Sequence, residues 1–361
     1  MIIYNDKKYN FLEFFNPENG FLIRSNCVGS SSNPNMRSFP ELLDIGIMGQ
    51  CHISHLNICK NAGIDCYQKA RNRTSANMSI TDYVKIIKEA SGKTFQVALG
   101  GAGDPNKHKD FKEILKLTRE YNIIPNMTTS GIYLTENEID LIKKYCGAVA
   151  ISFYSRLNLL NFAESNPSTI NAIERLVTSK CKTNIHFVLS NKTIEEAIVR
   201  LEHNLFPEGI NAIIFILYKA TGFGKTEYVL TNDNPKLQQF LNLINNNIYD
   251  FEIGFDTCIS PAIIKHCNNI PIESIDVCEA ARFSMYIDAE LNAYPCSFDC
   301  CTNNYRISLK EHSIQEIWES EIFNKFRQRQ DLSCKECLMK TQCSGACGLE
   351  LCNSICSPSH S

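Results

Sequence analysis

Eighteen cysteines in 361 residues are the side chains with the most chemistry to offer in this sequence. Three of them, Cys51, Cys59 and Cys66, lie in the stretch LLDIGIMGQCHISHLNICKNAGIDCYQKA, just past an apolar run, with seven and six residues between them. That spacing is too wide for a common zinc knuckle, whose paired ligands stand two to four residues apart. Twelve more lie from residue 258 onward. The run CKECLMKTQCSGAC sets Cys334, Cys337, Cys343 and Cys347 in a C-x2-C-x5-C-x3-C order, Cys278 and Cys296 flank EAARFSMYIDAELNAYP, and Cys352 and Cys356 follow. Thiolates at such spacings bind zinc or iron–sulfur clusters. A disulfide scaffold would be short and would begin with a secretion signal, whereas this chain starts MIIYNDKKYNFLEFFNPENG, with no apolar run or cleavage site. The best apolar stretch, AIIFIL, has six residues, too few to cross a bilayer. A cytoplasmic chain with no membrane partner is the expectation, and clustered thiols in a reducing compartment point to metal. The net charge of −3 gives no basic field, which makes nucleic acid a poor guess for a partner.

Ligands this scattered need a scaffold that gathers them. The 44% apolar and 21% charged content is that of a globular protein. Between residues 41 and 257 strand-like and helix-like segments alternate. The strands are LLDIGIM, FQVALG, NIIPNMTT, AVAISFY, NIHFVLS, AIIFILY and FEIGFD, mostly continuous apolar runs of the kind found in parallel sheets covered on both faces. The intervening segments ITDYVKIIKEA, HKDFKEILKLTREY, TENEIDLIKKYC, STINAIERLVTSK, TIEEAIVRLEH and NPKLQQFLNLINNN have helical spacing, with Ser79, Thr135, Thr193 and Asn234 as predicted caps. Repeated βα units build a doubly wound sheet or a barrel, with functional loops at the C-terminal strand ends. Cys51 falls at such an end. Residues 1–40 read as an N-terminal extension with a β-hairpin turning at NPENG, followed by a Ser/Asn-rich connector. From 258 to 361 the alternation stops; a Pro-Cys turn, one clear helix (SIQEIWESEIFNKFRQRQ) and the cysteines read as a small domain built around metal.

The C-terminal cysteine order, together with MYIDAELNAYPC, resembles the SPASM domain, an extension of many radical SAM enzymes that carries one or two auxiliary [4Fe-4S] clusters. In the family the ligands interleave. The resemblance implies one cluster on Cys334, Cys337, Cys343 and either Cys352 or Cys356. The other would take Cys278, Cys296 and Cys347, with Cys258 in GFDTC preferred over Cys267 as fourth ligand; were that place unfilled, an open iron could bind a substrate thiolate. The family usually has glycine five residues before the Pro-Cys cysteine, where this chain has Leu291, so a reshaped turn is expected there.

Radical SAM enzymes carry three cysteines after the first barrel strand, most often as C-x3-C-x2-C, and the first cysteine loop resembles that arrangement in place though not in spacing. The resemblance implies a [4Fe-4S] cluster on Cys51, Cys59 and Cys66 whose fourth iron chelates S-adenosylmethionine. His52 and His55 stand between these cysteines and are read as solvent-facing or hydrogen-bonded. ALGGAGDP resembles the family's GGEP motif, which makes Gly100, Gly101, Gly103 and Asp104 cofactor-binding residues; Asp104 stands where Glu is usual. Ser130 in TTSG, Ser152 in AISFYS and Asn191 in VLSN end the next strands and are expected to reach the same cofactor.

The implied whole is a partial (β/α)6 TIM-like barrel with a small Cys-rich iron–sulfur C-terminal domain, holding one SAM-binding and two auxiliary [4Fe-4S] clusters. It would act on a peptide or protein, with a ribosomal peptide precursor and a thioether crosslink as the favoured case, and take electrons from an external one-electron reductant such as flavodoxin or ferredoxin. Formylglycine formation and peptide epimerisation are alternatives within the class. A zinc-stabilised α/β binding protein without redox chemistry is the alternative outside it. No acid or base in the barrel stands out as catalytic.

Overall fold

A computed structural model describes residues 1–27, 34–332, 337, 339–343, 347–351 and 353–356. The predicted strands form β4 (Leu42–Met48), β5 (Gln96–Gly101), β6 (Ile124–Thr129), β7 (Val149–Ser152), β8 (Thr183–Leu189), β9 (Ala212–Leu217) and β10 (Glu252–Phe255), all parallel. These are the seven strands read from the sequence, and they lie side by side in one sheet. Its strands do alternate, despite their apolar composition. In β8, Thr183, Ile185, Phe187 and Leu189 are fully buried while Asn184, His186 and Val188 between them are half-buried. One face packs under helices and the other lines an inner space, which period-2 strand geometry requires.

The covering helices follow from their patterns. A short α1 (Ile58–Asn61) lies inside the first cysteine loop. In α2 (Ile80–Ala90) the buried residues Tyr83, Ile86, Ile87 and Ala90 fall on one face, and Ser79 Oγ accepts the Asp82 N–H at 3.1 Å. Then come α3 (Phe111–Glu120), α4 (Glu136–Tyr145), α5 (Pro167–Thr178), α6 (Ile194–Glu202), α7 (Pro235–Asn246) and α8 (Ser260–His266). Thr135 and Glu138 form a capping box at α4, and Asn234 caps α7 through the N–H groups of Lys236 and Leu237; such caps contribute about 1 kcal/mol each. Thr193 is the exception. Its hydroxyl donates to Val188 O and accepts from Ser190 N–H, so it closes the loop after β8 and leaves the α6 terminus uncapped.

The N-terminal segment is a three-stranded antiparallel meander, β1 (Ile2–Asp6), β2 (Phe11–Phe15) and β3 (Leu22–Asn26). The predicted hairpin is β2–β3; β1 adds a strand on its far side. The meander is pinned to the barrel by Phe15 stacked on Phe95 at 4.9 Å and by Arg24, which bridges Glu41 at 2.5 Å and Glu279 at 2.6 Å.

The chain passes residue 258 without leaving the sheet. Strand β11 (Ser284–Ile287) pairs parallel with β4, Ser284 against Leu42 and Ile287 against Ile45, and β12 (Asn292–Tyr294) and β13 (Ile307–Ser308) extend the edge. Helices α9 (Ile314–Glu319) and α10 (Glu321–Leu332) follow. The β11–β12 turn does not need glycine. Leu291 adopts φ +67°, the left-handed region that costs a residue with a side chain roughly 1–2 kcal/mol. Asp288 Oδ1 offsets this by accepting the backbone N–H groups of Glu290 and Asn292, each at 2.9 Å.

Candidate functional site

Beyond the C-terminal end of β4 the loop folds back on itself so that Cys51, Cys59 and Cys66 line one cavity of about 270 Å³, together with Asp65, Arg71 and Phe223. The wide spacing is taken up by the helical turn α1 between the first two thiols and by Gly63, which turns the chain at φ +74°. Burial pushes the Cys51 thiol up to about 11 and the Cys59 thiol in the same direction. Metal binding here must therefore release protons. Neither His52 nor His55 lines this cavity. His52 is half-buried, with its Nε2 3.6 Å from Asp104 Oδ2, and burial lowers its pKa.

The glycine-rich turn ending β5 is packed against the backbone of this loop. A Cβ on Gly103 would stand 2.4 Å from Gln50 O and 3.3 Å from Cys51 Cα, whereas one on Gly100 would meet nothing within 4 Å. Gly103 therefore permits contact between turn and loop, and Gly100 leaves space open on the inner side. Gly103→Ala is expected to cost roughly 1–3 kcal/mol through overpacking and to displace Cys51. A lowered Tm with reduced iron binding, measured on the same preparation, checks this.

Asp104 is buried and turned to the protein. Its carboxylate accepts the Ser130 N–H at 2.8 Å and the Ser130 hydroxyl. Burial raises its pKa, against these hydrogen bonds and His52. Asp104 and Ser130 thus lock the β5 and β6 loops to each other. Ser152 ends β7 and hydrogen-bonds Tyr154, a half-buried residue whose hydroxyl feels Cys59 and Cys66. Asn191 stands apart from this group. It is exposed, its amide donates to Glu227 O and Val229 O, and its oxygen accepts from Asn234, which commits it to tying a loop to the α7 cap.

A second cavity, of about 250 Å³, is lined by Cys258, Cys278, Cys296 and Cys347. Burial first, then the neighbouring Cys258 and Cys347, pushes Cys278 up to about 12; Cys296 is raised by burial and by the same neighbours. Cys267 is elsewhere, buried with its Sγ 3.7 Å from Leu241 O. Of the remaining expected ligands, Cys343 is buried and Cys337 and Cys356 are half-buried, while Cys334 and Cys352 lie outside the described residues.

Tyr67, next to Cys66, packs on Phe298 at 4.7 Å, and Phe298 lines the second cavity. Three groups missed by sequence reading also face that cavity: Asp44 from β4, and Lys219 ion-paired with Asp256 at the ends of β9 and β10. Each is a charged residue within or directly after an apolar strand, which was the available signal.

The donor sets fit clusters better than single ions. Four thiolates on one zinc stand about 3.8 Å apart, from a Zn–S bond of about 2.3 Å. Among the described residues no three His, Cys, Asp or Glu side chains converge closely enough to hold one metal ion. Cysteines ringing a cavity suit a polynuclear centre whose irons each take one thiolate.

Comparison with known proteins agrees with this geometry. Residues 278–338 match the SPASM iron-sulfur cluster-binding domain. Streptococcus suis SuiB bound to S-adenosylmethionine is similar, with TM-score 0.65 and 18% identity over 86% of this chain and 74% of that one. SuiB bound to precursor peptide SuiA gives TM-score 0.64 at 18% identity, over 86% and 72% of the two chains. Native anSMEcpe with bound AdoMet and Cp18Cys peptide gives TM-score 0.59 and 17% identity over 89% and 91%. Comparison with curated proteins finds no match. At these identities the structures establish the fold: a TIM-like barrel similar to those of SuiB and anSMEcpe, whose sheet runs on into a region that matches the SPASM iron–sulfur cluster-binding domain.

Proposed function

We propose that this chain is a radical SAM enzyme that modifies a peptide or protein, with a ribosomally made precursor and a thioether crosslink as the favoured substrate and product. The observation that carries this reading is the convergence of Cys51, Cys59 and Cys66 on one cavity at the mouth of the barrel. Those thiolates would hold a [4Fe-4S] cluster, which supplies the electron that splits S-adenosylmethionine to a 5′-deoxyadenosyl radical. The open inner side of Gly100 supports approach of the methionine portion to the β5 backbone. Phe223 lines the cavity beside the three thiols. The ring of Cys258, Cys278, Cys296 and Cys347 supports an auxiliary cluster with all four corners filled by protein. Such a centre suits electron transfer rather than capture of a substrate thiolate. SuiB with its precursor peptide and anSMEcpe with its Cys peptide support a peptide as the substrate class. Among the described residues no helix is long and apolar enough to cross a membrane, which fits a cytoplasmic maturase reduced by flavodoxin or ferredoxin.

Anaerobic purification should yield a brown protein with about twelve irons per chain that forms 5′-deoxyadenosine from S-adenosylmethionine and dithionite. A colourless zinc protein that leaves the nucleotide intact would refute the reading.

A further inference from the structure

We propose that Cys300 and Cys301 are a peroxide-oxidisable dithiol that holds the first cysteine loop to the C-terminal region while it is reduced. The assignment does not depend on cleavage of the nucleotide. The two thiols are adjacent in sequence, at the end of a helical turn spanning Ser297–Cys301, and they line neither cysteine cavity. Cys300 is buried against Tyr286 and Tyr294, whereas Cys301 is half-buried beside the exposed residues Thr302, Asn303 and Asn304. A small oxidant therefore reaches Cys301 first, with Cys300 directly behind it.

The polar groups that meet this pair come from the chain just after Cys66. Arg73 Nη2 donates to Cys300 Sγ at 3.7 Å, and Cys301 Sγ donates to Tyr67 O at 3.0 Å. Among the described residues no carboxylate forms an ion pair with Arg73, so the thiols are the partners of its charge. Asp288, whose charge reaches Cys300, is held by Asn292 and Tyr294. The thiol–thiol hydrogen bond first, then Arg73 and Lys69, lower the pKa of Cys301 against its burial, while the same bond and burial raise that of Cys300. The pair thus gives up one proton more readily than an ordinary thiol and keeps the other. A thiol inclined to ionise, open to solvent and backed by a second thiol is the arrangement of redox-sensing cysteines. Filling space would need neither the pair nor the cation. Both reduced forms hold the loop: the dithiol through Tyr67 O, the ionised pair through the charges of Arg73 and Lys69. A disulfide has neither donor nor charge, so oxidation frees residues 66–73 from residues 300–301.

The oxidant is hydrogen peroxide. The Cys301 thiolate attacks one peroxide oxygen, the O–O bond breaks, and hydroxide leaves behind a sulfenic acid. Cys300 sulfur then attacks Cys301 sulfur, the S–O bond breaks, and the second hydroxide leaves. The two thiols lose two electrons and two protons, and the peroxide becomes two waters. Adjacent Cα atoms stand about 3.8 Å apart across a trans peptide, below the usual disulfide range of about 4.4–6.8 Å. The bond is therefore strained and readily returned to the dithiol by a thiol reductant, as a reversible modification requires.

The test treats the anaerobically purified full chain with one molar equivalent of hydrogen peroxide, blocks the remaining thiols with N-ethylmaleimide and digests with chymotrypsin. Cleavage after Phe298 and Tyr305 gives the peptide DCCTNNY, which contains these two thiols and no other. In the wild type it should emerge unlabelled and lighter by two hydrogens before any cluster absorbance falls, and should take up two labels after dithiothreitol. Cys301→Ser should lose the oxidised product, and Cys300→Ser should stop at a sulfenic acid that dimedone traps. Hydrogen exchange across residues 66–73 should speed up when the wild type is oxidised and return with dithiothreitol. If neither variant folds, the mass loss and its reversal in the wild-type peptide carry the test alone. A doubly alkylated peptide after peroxide, or a sulfenic acid on Cys300 in Cys301→Ser, overturns the oxidation. Exchange at 66–73 that ignores disulfide formation overturns the hold on the loop. A chain that makes no 5′-deoxyadenosine fails the functional reading and not this one.

Discussion

Replacing Cys51, Cys59 and Cys66 together by Ala should leave a folded protein with about eight of about twelve irons and no detectable 5′-deoxyadenosine formation. The iron loss is confined because the two cysteine sets line separate cavities. The fold survives because the loop is held by backbone rather than by its thiols. Gly103 packs on Gln50 O, Phe223 N–H donates to Cys66 O at 3.1 Å, and Met78 N–H donates to Ile47 O at 2.9 Å. Removing three half-buried sulfurs sacrifices little apolar area, so the expected loss of stability in the metal-free protein is about 1–3 kcal/mol. Loss of activity is complete, since no other described thiol lines the cavity that would take over a missing ligand. Iron analysis, circular dichroism and chromatography of the nucleotide products separate these effects. Continued 5′-deoxyadenosine formation would mean that the nucleotide is cleaved at another site. An iron content that drops to zero would mean that the two sets depend on each other.

How much of this could be read in advance depends on the range of the interactions involved. The seven barrel strands and six of the helices lie where apolar runs and caps put them, because those signals are local. The cysteine loop was legible in place but not in shape. Nothing in C-x7-C-x6-C says that α1 and Gly63 fold the excess length back. The least legible features are pairings between distant segments. Strand SMYI joins LLDI across some 240 residues, and only that pairing sets Tyr286 beside Asp44 and continues the barrel sheet into the C-terminal region. Strand β1 was missed because its exposed Ile2 and Ile3 show no buried face. Asn191 makes a related point: a polar residue just past a strand can face a ligand or tie down a loop, and here its side chain bonds Asn234 and residues 227–229. Leu291 shows the converse. The sequence departs from the family's glycine, yet the backbone keeps the left-handed turn because Asp288 supplies the stabilising hydrogen bonds.

The fourth ligand of the cavity in the C-terminal region is open to a paired test, since Cys258 and Cys267 differ by only nine residues and both are free thiols. Cys258→Ala should lower the iron content by up to about four atoms per chain, because it removes one of the four sulfurs that ring the cavity. Metal binding at such a site is also folding energy. Cys258 follows β10 and precedes α8, so an uncommitted ligand frees the connection between the last barrel strand and the C-terminal region, and Tm should fall by more than the lost side chain explains. Cys267→Ala acts differently. Its thiol lies at the C-terminal end of α8, buried and directed at Leu241 O, so the variant should keep all its iron and lose about 1 kcal/mol through a small cavity. The contrast between iron content and stability in the two variants is the diagnostic quantity, because any general weakening of the fold would move both together. Equal iron in Cys258→Ala and the wild type would show that three protein thiolates suffice, leaving one iron of that cluster available to a ligand from outside the chain. That outcome would revive capture of a substrate thiolate as the role of this centre.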